Sequence, residues 1–181
     1  MSMWNKDKIE DVFLDTSENV LICKEMSDKI IEENSGALDD IMRDINNEIV
    51  GKDNPSDDII EKYFLELTNA LYFIGTRIEY FGFYEDISKA NLKNAYNEAY
   101  TNYQLQNAST GNKKPSAADS QINADMESIN ESIVNIIYSR SYKILKSKVE
   151  MGYEQVRTLS KLLSKHMEEK RLNALNSTNI V

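Results

Sequence analysis

The chain has 181 residues, of which 41% are hydrophobic and 28% charged, and a net charge of -9, which suits one folding unit or one compact core with extended arms. Only 6 Gly and 2 Pro are present, which excludes a turn-rich β architecture and predicts an all-α fold of long helices. Cys23 and His166 are each the only residue of their type, which excludes a disulfide framework and a Cys/His zinc site within one chain.

In chain order, the first predicted helix starts near residue 17, where Asp15, Thr16 and Ser17 offer N-caps before Cys23, Met26 and Ile30. A break or kink is expected at "NSG", Asn34 to Gly36, before the helix resumes through Ile41, Ile45 and Ile49. Pro55, with Asp, Asn and Ser around it, ends that helix and caps the next. The second helix carries a heptad seam of Ile60, Phe64, Leu67, Leu71, Ile74, Ile78 and Phe81. A third stretch after Gly82 places Leu92, Ala95, Ala99 and Tyr103 on one face. Residues 1–106 thus form an N-terminal helical region, and 107–120 ("NASTGNKKPSAADS") a loop. From about Ser116 or Ala117 a C-terminal helix of about 55 residues runs on without Pro. Its oligomerisation part is assigned to 121–173, and 174–181 is read as a flexible tail. The seam of this helix comes in two parts with a phase shift between them. One part is Ile122, Met126, Ile129, Ile133 and Ile136, and the other Leu145, Val149, Gly152, Val156, Leu159 and Leu163. Such a narrow seam needs a partner, either the earlier helices or another copy in a coiled-coil-like homo-oligomer.

No run approaches the roughly 18 to 20 apolar residues needed to span a bilayer, and the start "MSMWNKDKIEDVF" is charged where a signal peptide is apolar. A soluble cytoplasmic protein with no membrane partner is expected. No Gly-rich phosphate loop, Cys/His pair or nucleophile elbow is present, so the reading is that of a non-enzyme without cofactor or metal.

Charge is segregated along the chain. Arg140 to Arg171 holds 9 Lys or Arg against 4 Glu, and no charged residue follows, so residues 1–139 carry -14. With a Debye length of about 8 Å at physiological salt, a basic surface can act separately from an acidic body, and the overall sign does not exclude nucleic acid. With Val156 at zero and about 100° per residue, Arg140, Lys143, Arg157, Lys161 and Lys165 form a stripe between about 100° and 200°, beside the seam. It is either a solvated coiled-coil flank, with Glu150 and Glu154 pairing to Lys146, Arg157 or Lys161, or a phosphate-binding stripe.

Within "IGTRIEYFG", Ile74 to Gly82, Arg77 can grip a phosphate while Tyr80 stacks a base. The alternatives are an ion pair of Arg77 with Glu79, Glu85 or a neighbouring subunit, and a core position for Phe81. Three segments, "DVFLDTSENV", "ALYFIGTRIEYFG" and "SRSYKILKSKV", covering about 35 of 181 residues, resemble the UvsY-type recombination mediators of T-even phages. The resemblance puts Arg77 at the second of two basic positions and Tyr80 and Phe81 at paired aromatic positions, while Gly75 stands where the first basic residue would be. It implies a non-enzymatic hexamer or heptamer that binds single-stranded DNA and helps load a RecA-like recombinase against single-strand-binding protein, in the host-cell cytoplasm if phage-encoded. The expected DNA-binding residues are then Arg77, Tyr80, Arg140, Lys143, Lys161 and Lys165, with Leu145, Val149, Val156, Leu159 and Leu163 for oligomerisation. Two further readings are an acidic helical adaptor or virion-associated structural protein with protein partners, supported by the -14 body and 10 Tyr, and an inhibitor that mimics DNA.

Overall fold

The structure, a computed structural model, describes residues 6–52, 54–109 and 115–178, with side chains from 18 to 52, 54 to 106 and 115 to 175. The side chains of the proposed caps Asp15 to Ser17 and of most of "DVFLDTSENV" lie outside the described ones, and the centre of the expected loop and the last residues of the expected tail lie outside the described residues. The fold is all-α. Helix α1 spans Lys6–Ile45 and passes into a π-helical turn, Asn46–Val50; α2 spans Asp57–Ser109, α3 Ala117–Glu127 and α4 Ile129–Thr178. None of the described helices is long and apolar enough to cross a membrane.

Local chemistry accounts for the boundaries. The π turn closes with Gly51 N–H donating to Asn46 O at 3.0 Å, and Pro55 ends the connection. Ser56 then starts α2, its hydroxyl accepting from Ile59 N–H at 3.4 Å, with Asp57 and Asp58 in the first turn, where carboxylates suit the helix dipole. Ser116 and Asp119 form a reciprocal capping box on α3.

Several expected boundaries are corrected. Helix α1 begins at Lys6 and runs through Gly36 without a break, and α2 runs through Gly82. At Gly82 the ring of Tyr142 lies 3.5 Å from where a Cβ would stand, an ordinary contact distance, and the flanking helical hydrogen bonds carry α2 through despite the roughly 1 kcal/mol that a mid-helix glycine costs. The expected loop is shorter, since α2 reaches Ser109 and α3 starts at Ala117, and α4 continues through the expected tail to Thr178. The long C-terminal helix is interrupted once, at Ser128 (φ -98°, ψ 15°). There the Ser128 hydroxyl donates to Ala124 O at 2.7 Å, a back-bond that bends helices.

The chain divides into two compact units, a first of Met1–Ile30 and Tyr80–Lys143 and a second of Ile31–Glu79 and Ile144–Val181. The second has an aliphatic core, with Ile31, Leu38 and Ile45 of α1, Ile60, Leu67, Leu71, Ile74 and Ile78 of α2, and Leu145, Val149 and Leu159 of α4 all buried. In the first, the buried apolar residues are Cys23, Ala124 and Ile137, and the rest of the described buried set is Ser27, Ser88, Ser120, Ser128 and Ser141. Each of these serines except Ser141 turns its hydroxyl back onto a carbonyl of its own chain three or four residues earlier.

Candidate interaction surfaces

The seam of α4 in the second unit is covered by the chain itself. Leu145 and Leu159 are 1% exposed, Val149 and Gly152 are buried, and Val156 and Leu163 are half-buried. A Cβ on Gly152 would stand 2.6 Å from Leu71 Cδ2, so any larger residue here would have to displace the buried Leu71 side chain. Of the two partners the seam required, the earlier helices cover Leu145, Val149 and Leu159, while Val156 and Leu163, also assigned to oligomerisation, keep part of their surface open. Polar pins flank this core. Lys148 donates to Ser35 Oγ at 3.0 Å and pairs with Asp39. Asp57 faces His166 Nδ1 at 2.8 Å and Lys170 Nζ at 2.5 Å. Lys170 first and His166 second hold the Asp57 carboxyl below the usual aspartate range, and Asp57 in turn raises the Lys170 ammonium. His166, the only histidine of the chain, is therefore an interhelical hydrogen-bonding group.

The first unit reverses this arrangement. The other half of the seam is turned outward: Ile122 and Met126 are 60% and 71% exposed, Ile129 and Ile136 are exposed too, and Ile133 is half-buried. Ser120, Ala124 and Ser128, two residues before each of the first of these or beside them, point inward instead. On α1, Met26 is likewise exposed while the adjacent Ser27 is buried. On α2, Tyr80, Phe83, Tyr84 and Ile87 are exposed and fall within about 100° of one another around the helix. Tyr84 stacks on Tyr138 of α4 (ring centroids 5.4 Å apart, planes at 30°) and meets Phe81 edge-on at 6.0 Å. Beside this stack runs a groove of about 370 Å³ with Ile87, Val134, Asn91, Asn130 and Glu131 in its walls. Ser139 donates to Glu85 Oε1 at 3.1 Å and Ser88 to Asn135 Oδ1 at 3.2 Å, which fixes α2 against α4 along the groove.

The expected DNA-binding residues are distributed over both units. In the second, Arg77 is exposed at a groove of about 330 Å³ that also holds Glu32, Glu33 and Phe73. Of the five arginines, Arg43, Arg140, Arg157 and Arg171 each have a carboxylate partner, and Arg77 has none among the described residues. The expected pairs with Glu79 and Glu85 are therefore absent there. Lys161 and Lys165 are exposed on α4, the latter with Glu169 at 3.7 Å, and Arg157 pairs with Glu154. In the first unit, Tyr80 is exposed and Phe81 half-buried, Lys143 is exposed, and Arg140 lies 3.6 Å from Asp28 of α1. Three of the five stripe residues, Arg140, Arg157 and Lys165, thus have a carboxylate of the same chain within ion-pair distance, all at exposed positions. Among the described residues no group of three His, Cys, Asp or Glu is placed to hold a metal.

The outward aromatic face of α2 escaped the sequence reading, although its signal is present. "LYFIGTRIEYFGFY" contains a second apolar set, Tyr72, Phe73, Tyr80, Phe83 and Tyr84, offset from the seam; a helix apolar on two faces has more than its own core to cover. No family model, no curated protein and no solved structure matches the chain.

Proposed function

We propose that the protein is a non-enzymatic helical adaptor that docks protein partners on the outer face of the first unit. The supporting observation is the reversed polarity of that unit. Among its described residues fourteen large apolar side chains are exposed against three buried apolar ones, whereas the second unit exposes nine and buries thirteen. Single exposed apolar residues are ordinary, but a run of them following one seam and one helix face marks an interaction surface. The test replaces Ile122, Met126 and Ile136 together by Ser and measures helicity, urea stability and binding of a hydrophobic dye. The adaptor reading expects unchanged folding and loss of dye binding. A variant that unfolds would show these side chains to be core, and the reading would fail.

A second reading, the mediator that binds single-stranded DNA and assists a RecA-like recombinase, is favoured by one observation, the exposed Arg77 without a carboxylate partner. Tyr80, also exposed, would supply a stacking ring. Anisotropy of labelled oligo(dT) at several salt concentrations tests it. Binding with a log-log salt slope of about -0.7 per phosphate contact that weakens in Arg77→Ala would support DNA, and no binding at low salt would remove it. Assembly into a ring would have to use a surface other than the buried α4 seam.

A further inference from the structure

We infer that the groove between α2 and α4 in the first unit takes a segment of another protein in which a basic side chain lies next to an apolar one. This rests on the docking reading and adds the chemistry of the partner. The apolar wall is made by Tyr84, Ile87, Val134 and Tyr138. Tyr84 and Tyr138 stack on each other, so the wall is ordered before anything binds and little side-chain entropy is lost on docking. A volume of about 370 Å³ is at the lower end of sites that hold a few side chains.

Charge selects the occupant. Glu131 is the charged residue in the walls, and the sequence from Pro115 to Ser139 contains Asp119, Asp125, Glu127 and Glu131 without a single Lys or Arg. Lys89 and Lys93 are on the opposite side of α2, in a separate cleft with Leu92 and Tyr96. Among the described residues that line the groove, the single charge is therefore the carboxylate of Glu131, and no Lys or Arg is in its walls. A nucleic-acid strand is repelled by such a groove. A second copy offering its own outward seam carries Asp125 and Glu127 on that segment and no Lys or Arg between Pro115 and Ser139, so it supplies no cation for Glu131. A lysine or arginine from a foreign segment satisfies Glu131 at short range, while Asn91 and Asn130 can donate to and accept from its main chain.

The probe is a phage-displayed library of random peptides selected on the full chain. The expected result is enrichment of peptides that pair Lys or Arg with an apolar residue, weakened about tenfold by Glu131→Gln and by Ile87→Ser, with selection turned toward acidic peptides by Glu131→Lys. Circular dichroism checks that each variant keeps its helices. Peptides lost on Ile87→Ser but indifferent to both Glu131 variants would overturn the charge assignment and leave the docking reading standing. Absence of any enriched peptide would overturn both. Displacement of the peptides by oligo(dT), or wild-type self-association abolished by Val134→Ser, would assign the groove to DNA or to a second copy and overturn the inference.

Discussion

The two units draw on the same three long helices and distribute polarity in opposite ways. In the second, leucines and isoleucines face inward, a glycine lets α4 close on α2, and ion pairs at Lys148 and Asp57 flank the core. In the first, serines face inward and isoleucines, tyrosines and methionines face outward. A buried leucine contributes about 1.5–3 kcal/mol through removal from water, whereas a locally bonded serine hydroxyl contributes about 1 kcal/mol net. Most of the buried apolar surface among the described residues therefore belongs to the second unit, and most of the exposed large apolar side chains belong to the first.

The largest test of this contrast is truncation on either side of it. Leu145→Ala or Leu159→Ala in the second unit should cost about 2–5 kcal/mol by urea unfolding, while Ile136→Ser in the first should change stability by no more than about 0.5 kcal/mol. Equal costs would mean that the outer face is covered within the chain. Glycine replacement separates the units next. Gly152→Ala forces a methyl onto buried Leu71 and should destabilise by about 1–3 kcal/mol, whereas Gly82→Ala meets the Tyr142 ring at 3.5 Å, ordinary contact, and should gain about 0.5–1 kcal/mol from helix propensity. Smaller again is Ser141→Ala. The Ser141 hydroxyl is buried with no hydrogen-bond partner among the described residues, so its removal should be neutral or stabilise by about 1 kcal/mol.

The pH dependence sharpens the contrast from the other side. Because Lys170 and His166 depress the folded Asp57 carboxyl, the clamp contributes stability above the pKa of an unfolded aspartate and loses it as pH falls through the lower folded value. Asp57→Asn should lower the melting temperature at neutral pH and flatten its fall below about pH 4. Parallel acid limbs for wild type and variant would show that the clamp adds nothing.

Legibility followed the same division. In the second unit, the heptad positions Ile60, Leu67, Leu71, Ile74, Ile78, Leu145, Val149 and Leu159 were readable as a seam and are buried, because there the apolar stripe and the packed stripe coincide. In the first, Ile122, Met126, Ile129 and Ile136 have the same spacing and are exposed. Periodicity reports which residues share a face, and a helix with small residues on its other side can turn that face outward. The phase shift between the two halves of the C-terminal seam was visible in the sequence, and the division between the units at Lys143 and Ile144 falls within it. The charges of the basic stripe were countable too, but their partners, such as Asp28 for Arg140, come from helices distant in sequence.

By itself the sequence determined an all-α chain of long helices, the stop at Pro55, a helix start at about Ser116 or Ala117 and the seams that can be buried, because these depend on backbone propensity and local spacing. Only the tertiary structure decided which seam is core and which is surface, and which arginine is left without a carboxylate. Those outcomes depend on which helix faces another, and pairwise packing between segments more than a hundred residues apart leaves no periodic mark on either.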